Sequence, residues 1–241
     1  MDKGHGSRNA YDANSGFEAQ CAKFVESAAK GGALEPRMRE LVNVALNASV
    51  THLNEEELEK STQAALAAGA TPEEVEEVLQ LISVLGIHAL STCMPILLDI
   101  MKERSGSDPL TATLNEKQLH EKEEFVAARG YWASTWDNLV RFDLDFFKAY
   151  SEFSSFPWNQ GRLAPKEREF IYIAIDCSTT HLYLSGTRLH MLNALQKGAT
   201  VEEIFEVIKI SSVMGVQSYS IGMRVLQNVL SEAAPDVDGS V

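Results

Sequence analysis

The sequence predicts an all-α protein built from one helical unit that is duplicated and fused. The two halves of the 241-residue chain match each other without a gap. Neither half contains the alternating pattern of a strand or an Asn-Gly hairpin turn, so each is expected to be helical throughout. Hydrophobic residues make up 45% of the chain, which is enough to bury a core in one or two domains.

The duplication becomes visible when the sequence is shifted by 129 positions. The shift places Pro36 on Pro165, Glu40 on Glu169, Thr51-His52-Leu53 on Thr180-His181-Leu182, and Gly69-Ala70-Thr71 on Gly198-Ala199-Thr200. An ungapped match of this length indicates a gene-level duplication. We therefore expect a first unit over 17–104 and a second unit over 131–233.

Turn and cap residues divide the first unit into helices. Helices are predicted over 17–30, from 37 onward, and over 55–68, 72–85 and 87–102. Gly69 can adopt the left-handed backbone that follows a helix, and Thr71 can cap the next helix with Glu74 reaching back to it. The same residues recur in the second unit, so these glutamates are interpreted as caps.

The segment between the units, 105–130, is predicted to be a linker followed by a charged, solvated helix. An aromatic helix over 131–153 then opens the second unit. The two ends of the chain, 1–16 and 234–241, are predicted to be disordered.

Charge and cysteine content exclude several classes of protein. A net charge of −13 argues against binding to nucleic acids or to anionic membranes. The three cysteines are far apart and form neither a disulfide framework nor a CxxC pair. The first residues show no apolar signal-peptide core, so a cytoplasmic location is expected. The uncharged stretch 78–98 resembles a membrane span, but Gly86, His88 and Pro95 favour two buried helices that meet near Gly86.

Polar groups able to move protons or to hold an anion are concentrated in 168–198. They are Glu169, Asp176, Cys177, Thr180, His181, Arg188 and His190. This concentration within about one helical hairpin marks the candidate site.

Two stretches of the second unit resemble a known family. WNQGRLAPKEREFIYIAID, which begins at Trp158, and TRLHMLNALQKGATVEEIFEVI are similar to the carboxymuconolactone decarboxylase family, which has the AhpD-like fold. The resemblance implies an all-helical bundle. Single-unit members of the family form hexamers, so a fused pair implies a homotrimer. The peroxidase branch of the family carries two cysteines before its histidine, and here Tyr183 and Gly186 occupy those positions.

The resemblance also implies a chemistry and a set of site residues. The expected enzyme is a carbon–carbon lyase, a carboxy-lyase that uses no cofactor and no metal, and that acts on a small carboxylated or lactone metabolite such as those of aromatic-compound degradation. Arg188 is expected to hold the carboxylate, His190 to donate the proton, and Glu169 to set the charge of His190. The substrate pocket is expected to include His181, Thr180, Tyr183, Asp176, Cys177 and Trp158.

Each of these residues also has a structural interpretation. His190 can be a core histidine, and on a regular helix Arg188 lies about 200° around the axis from it. The recurring Thr-His pair can close a loop, and Arg39 and Arg168 are expected to form structural ion pairs. His181 and His190 match no zinc-binding spacing, although Asp176 could add a carboxylate.

The first unit lacks the candidate site. Ser61 and Glu59 stand at the positions of His190 and Arg188, so we expect one site per chain, walled partly by the degenerate unit. Two alternative functions remain. One is alkylhydroperoxidase chemistry of the peroxiredoxin type through Cys177, and the other is a non-catalytic helical assembly or ligand-binding module.

Overall fold

The computed structural model describes residues 15–30, 32–106 and 113–232. The predicted disorder of 1–16 and 234–241 therefore falls almost entirely outside the described residues. Every regular element in the described part is helical, which confirms the all-α prediction. The helices are α1 (Ser15–Ala29), α2 (Pro36–Ala48), α3 (Glu55–Ala67), α4 (Pro72–Ile82), a 3₁₀ turn (Ser83–Gly86), α5 (Ile87–Ser105), α6 (Glu116–Arg129), α7 (Ser134–Phe142), α8 (Leu144–Gln160), α9 (Pro165–Cys177), α10 (Leu184–Gln196), α11 (Val201–Val213) and α12 (Val216–Glu232).

The duplication is present in the helices themselves. Each of α8 to α12 begins 129 residues after its counterpart among α1 to α5. Helices α6 and α7 lie between the two sets and have no counterpart. The predicted single helix over 131–153 is wrong, because the chain breaks at Asp143, whose carboxylate accepts from the backbone N–H of Phe146 and starts α8.

The turn chemistry predicted from the sequence is confirmed in both units. Thr71 accepts from the backbone N–H of Glu74 while Glu74 accepts from that of Thr71, and Thr200 and Glu203 repeat this capping box. Gly69, which precedes the cap, has a φ of 96°, a backbone conformation that L side chains disfavour. The repeated glutamates are therefore caps.

The main core lies between α2 and α4 of the first unit and α9 and α11 of the second. Its fully buried side chains include Leu41, Leu81, Ile171 and Ile173. A second, aromatic core centred on Phe125 joins α6, α7 and α8. The two units therefore share one interior, and the inserted helices cover one end of the second unit.

Two buried ion pairs join the units, and in each a glutamate of one unit pairs with an arginine of the other. Glu77 of α4 accepts from Arg168 Nε of α9 at 2.6 Å and from the backbone N–H of Leu163 at 2.7 Å. Glu206 of α11 lies 3.6 Å from Arg39 Nε of α2. Both glutamates are almost fully buried. The prediction that Arg39 and Arg168 serve structural ion pairs is confirmed.

The stretch Pro72–Ser105 contains the two helices that were both predicted to be buried. It is 34 residues long, and its most apolar window has a mean hydropathy of 2.0, with 33% of that window buried. By length and composition it is the one candidate membrane span in the described part of the chain. Its first half, α4, packs into the core as predicted. The second half was predicted to be buried too, and that prediction is wrong. Helix α5 buries only Ser91 and Met94, and it exposes Ile96, Leu97 and Ile100.

Candidate functional site

A cavity of about 520 Å³ lies where the inserted helices meet the second unit. Its apolar wall includes Leu85, Ile175 and Trp136. Its polar lining includes His88, Ser91, Arg129, Tyr131, Tyr150, Tyr172, Tyr183 and His190. Since His88 and Ser91 belong to α5, the first unit contributes part of the wall.

His190 is held in place by a carboxylate behind it. Its Nδ1 lies 2.7 Å from Glu169 Oε2, and the other carboxylate oxygen of Glu169 lies 2.9 Å from Lys197 Nζ. Both His190 and Glu169 are buried, and the ring of Tyr172 stacks on the imidazole at 4.6 Å between centroids. The sequence-based pairing of Glu169 with His190 is present in the structure, and it joins α9 to α10.

Glu169 remains ionised in this setting. Burial by itself would raise the pKa of Glu169, but the hydrogen bond and charge of His190 and the Lys197 ammonium outweigh burial and lower the pKa. An ionised carboxylate accepts the proton on Nδ1, so Nε2 is the ring nitrogen left to exchange a proton with a ligand.

Arg129 is the buried cation of the cavity, and the sequence analysis missed it. The residue is 3% exposed and closes α6, which had been predicted to be a solvated helix. Its guanidinium donates to the carbonyl of Ser154 at 3.2 Å and more weakly to the hydroxyls of Tyr131 and Tyr172 at 3.4 and 3.5 Å. No carboxylate of the described chain lies within 4.0 Å of it. The signal for its burial was Phe125, one turn earlier on the same helix face.

Three tyrosines surround the guanidinium and the imidazole. Burial is the main cause that raises the pKa of Tyr131, Tyr150 and Tyr172. Their hydroxyls therefore stay neutral and can donate hydrogen bonds to an anion in the cavity.

A second polar cluster lies next to the cavity, on the α5 side. His88 Nδ1 lies 2.7 Å from His181 Nε2 and 3.7 Å from Asp176 Oδ1. Burial raises the pKa of Asp176 to about 8, and burial together with the neighbouring imidazoles lowers that of His88 to about 3. Tyr183 stacks on His88 at 3.9 Å and exchanges a hydrogen bond with Ser91. Asp176, His181 and Tyr183, predicted to line the substrate pocket, thus lie together, but of the three only Tyr183 lines the cavity.

Arg188 does not join the site. Its side chain is exposed, and it lies outside the lining of the cavity. The expectation that Arg188 lies beside His190 and holds the carboxylate there is wrong, because side chains two positions apart on a regular helix point to opposite sides. Arg129 occupies the place in the cavity that had been expected for Arg188.

Three further predicted residues lie outside the lining of the cavity. Thr180 is exposed and donates to Thr51 of the first unit at 3.3 Å, so it joins the equivalent loops. Trp158 donates to the hydroxyl of Tyr172 at 3.3 Å, and so it contacts the ring that stacks on His190. Cys177 contacts the carbonyl of Ala174 at 3.7 Å, and burial raises the pKa of its thiol.

The equivalent region of the first unit contains a smaller pocket of about 370 Å³. Glu40 lies in its wall as the counterpart of Glu169, but Ser61 replaces the histidine and donates to the carbonyl of Glu57 of its own helix. This pocket therefore lacks the acid–base pair of the second unit.

Comparison with known proteins agrees with this architecture. Residues 16–92 and 145–219 both match the carboxymuconolactone decarboxylase family. A crystal structure from Burkholderia xenovorans LB400, provisionally named a gamma-carboxymuconolactone decarboxylase subunit, is 38% identical with a TM-score of 0.88. The match covers 91% of this chain and 88% of that one. No curated protein matches the sequence. The two matched segments and the fold show that this chain belongs to the carboxymuconolactone decarboxylase family.

Proposed function

We propose that the protein is a carboxy-lyase that removes CO₂ from a small carboxylated lactone without a cofactor. The observation that carries this proposal is a buried guanidinium, that of Arg129, which faces the same cavity as the His190–Glu169 pair and has no carboxylate partner in the described chain. The name of the structural relative from Burkholderia xenovorans LB400 supports 4-carboxymuconolactone as the first substrate to test.

Arg129 holds the substrate carboxylate in this proposal. A buried charge without a counter-ion is costly, and a carboxylate from the ligand would remove that cost through a two-pronged hydrogen bond. The rings of Phe125, Tyr131, Trp158 and Tyr172 lie 5.2 to 5.6 Å from the guanidinium carbon and compensate part of its charge.

His190 supplies the proton. When the bond between the carboxylate and the ring carbon breaks, CO₂ leaves and its electron pair moves into the conjugated lactone. The imidazolium form of His190 then gives its Nε2 proton to carbon, and solvent restores that proton afterwards. Glu169 stabilises the imidazolium through Nδ1, and Lys197 keeps Glu169 ionised.

The cavity suits a ligand of this size. Pockets for small molecules commonly enclose about 300–1,000 Å³, and this one measures about 520 Å³.

Decarboxylation of 4-carboxymuconolactone tests the proposal. We expect the protein to release one CO₂ per lactone consumed, and His190→Ala to lower kcat by about 10²- to 10⁴-fold. Arg188→Ala is the matched control on the same helix, and it should retain activity because that side chain is exposed. Binding of the lactone without CO₂ release would instead support a non-catalytic ligand-binding module.

Peroxide reduction through Cys177 is the weaker candidate. Its thiol lies outside the lining of the cavity, and burial disfavours the thiolate that would attack a peroxide. We expect the Cys177→Ser variant to consume peroxide no more slowly than the unaltered protein.

A further inference from the structure

The cluster of His88, Asp176 and His181 goes beyond the chemistry of His190 and Arg129. We propose that it binds one divalent transition-metal ion, of the Zn²⁺ class, through His88 Nδ1, His181 Nε2 and the Asp176 carboxylate. The site joins α5 of the first unit to the end of α9 and the following loop of the second unit, and His88 also lines the cavity.

The distances within the cluster are close to those of a metal site. Two imidazoles and a carboxylate are common Zn²⁺ ligands, and with metal–ligand bonds of about 2.0–2.2 Å the ligand atoms of a tetrahedral site lie about 3.3 Å apart. Here His88 Nδ1 lies 2.7 Å from His181 Nε2 and 3.7 Å from Asp176 Oδ1, and the ligand atoms of all three residues lie within 4.8 Å of one another. Binding requires the His88 and His181 nitrogens, which now face each other at 2.7 Å with ring centroids 5.0 Å apart, to separate and to turn toward one ion.

The Asp176 carboxylate provides an independent indication of a missing partner. The residue is 1% exposed, and neither of its oxygens has a hydrogen-bond partner in the described chain. Buried carboxylates ordinarily have partners because their desolvation is costly. The carboxylate also packs closely against Gly186, where any Cβ would overlap Asp176 Oδ2. The fold therefore makes room for a buried carboxylate beside two imidazoles.

The duplication supplies an internal comparison. In the equivalent cluster the counterparts of His181 and Asp176 are His52 and Asn47 of the first unit, and the counterpart of His88 is Gln217 on α12 of the second unit. There Gln217 Oε1 accepts a hydrogen bond from His52 Nε2 at 2.8 Å, and Gln217 Nε2 donates to Asn47 Oδ1 at 2.9 Å. Two amides thus close the same cluster by hydrogen bonds. In the cluster around His181, His88 and Asp176 replace the two amides, and the carboxylate is left without a hydrogen-bond partner in the described chain.

This comparison also defines the best variant. His88→Gln combined with Asp176→Asn installs the amide pair that the equivalent cluster around His52 already contains, so the fold is expected to tolerate it. His52→Ala in the first unit is the matched control, because it removes a histidine from the equivalent place without altering the proposed ligands. His181→Ala, at a partly exposed position, is a second variant that removes one ligand.

Titration of chelator-treated, tag-free protein with Zn²⁺ by calorimetry, and with Co²⁺ by visible absorption, tests the proposal. We expect one ion per chain, with Co²⁺ giving the absorption bands of a four-coordinate site with nitrogen ligands. His52→Ala should bind equally well. The double variant and His181→Ala should each bind at least about tenfold more weakly, since even outer-shell partners of metal ligands contribute that much.

Two results would overturn the proposal. One is the absence of stoichiometric binding by the unaltered protein. The other is equal affinity of the unaltered protein and the folded double variant, which would show that the ions bind elsewhere and that the cluster is a neutral hydrogen-bonded group.

Discussion

Two buried arginines with different partners allow a sharp prediction. Arg168 forms a 2.6 Å ion pair with the buried Glu77, whereas Arg129 has no carboxylate within 4.0 Å in the described chain. Replacement of each arginine by methionine removes the charge and keeps much of the side-chain volume. We expect Arg168→Met to destabilise the fold and Arg129→Met to weaken ligand binding with little effect on stability.

The magnitudes follow from the contacts. Arg168→Met leaves the Glu77 carboxylate buried without its cation, and breaking a buried pair in this way costs about 3–5 kcal/mol. Because Glu77 keeps the backbone N–H of Leu163 at 2.7 Å, we expect about 3 kcal/mol, or a Tm lower by about 6–12 °C. Arg129→Met loses one good hydrogen bond, to Ser154, and removes an unpaired buried charge, so we expect a change within about 1 kcal/mol.

Activity should show the opposite order. Loss of the cation that holds a buried carboxylate costs about 2–5 kcal/mol, which corresponds to about a 30- to 4,000-fold lower kcat/KM for Arg129→Met. Thermal unfolding of both variants and CO₂ release from 4-carboxymuconolactone measure the two effects. An Arg129→Met protein with unchanged kcat/KM and a Tm as low as that of Arg168→Met would show that Arg129 is structural, and the reasoning would be refuted.

Three further predictions concern packing, pH and assembly. Gly186→Ala should destabilise the protein by about 1–3 kcal/mol in urea unfolding, because its Cβ overlaps Asp176 Oδ2, whereas Gly215→Ala, with open space around it, should not. The pKa of Glu169 is lowered in the folded state, so the stability that the ionised carboxylate contributes is present above the ordinary value of 4.5. That stability is lost as the pH falls through the lower folded value. Urea unfolding from pH 7 to 3.5 should therefore show a steeper loss of stability for the unaltered protein than for Glu169→Gln. The exposed apolar faces of α5 and α12 suit an interface between chains, and we propose the homotrimer that the family resemblance implies. Light scattering should detect it as about 80 kDa from three chains of 26.5 kDa, and Val225→Glu on α12 should dissociate it. A monomer for the unaltered protein at micromolar concentration would contradict the prediction.

The parts of the fold that depend on local chemistry were predictable from the sequence. The Thr71–Glu74 capping box depends on residues that are neighbours in the sequence. The 129-residue repeat is visible in the sequence itself. Both can therefore be predicted without knowledge of the tertiary structure. The break at Asp143 was missed because an aromatic-rich stretch on either side reads as one helix. The exposure of α5 was missed because an apolar composition does not say which surface covers a helix.

The candidate site was predictable only where the partners lie on neighbouring helices. Glu169 and His190 are 21 residues apart on adjacent helices, and the resemblance to the family pointed to both. Arg129 is brought to the cavity by the packing of α6 against α8, and no short motif marks it. His88 and His181 are 93 residues apart and meet because the two units pack against each other. Arg188 was chosen for its resemblance to a family motif, although the geometry of a regular helix directs it away from His190.

The position of a bound carboxylate tests the central claim most directly. A crystal structure with an unreactive dicarboxylic lactone analogue should show its carboxylate on the Arg129 guanidinium, at about 2.7–2.9 Å, and its ring within reach of His190 Nε2. A ligand held at Arg188, or a cavity that stays empty at saturating analogue, would contradict the account.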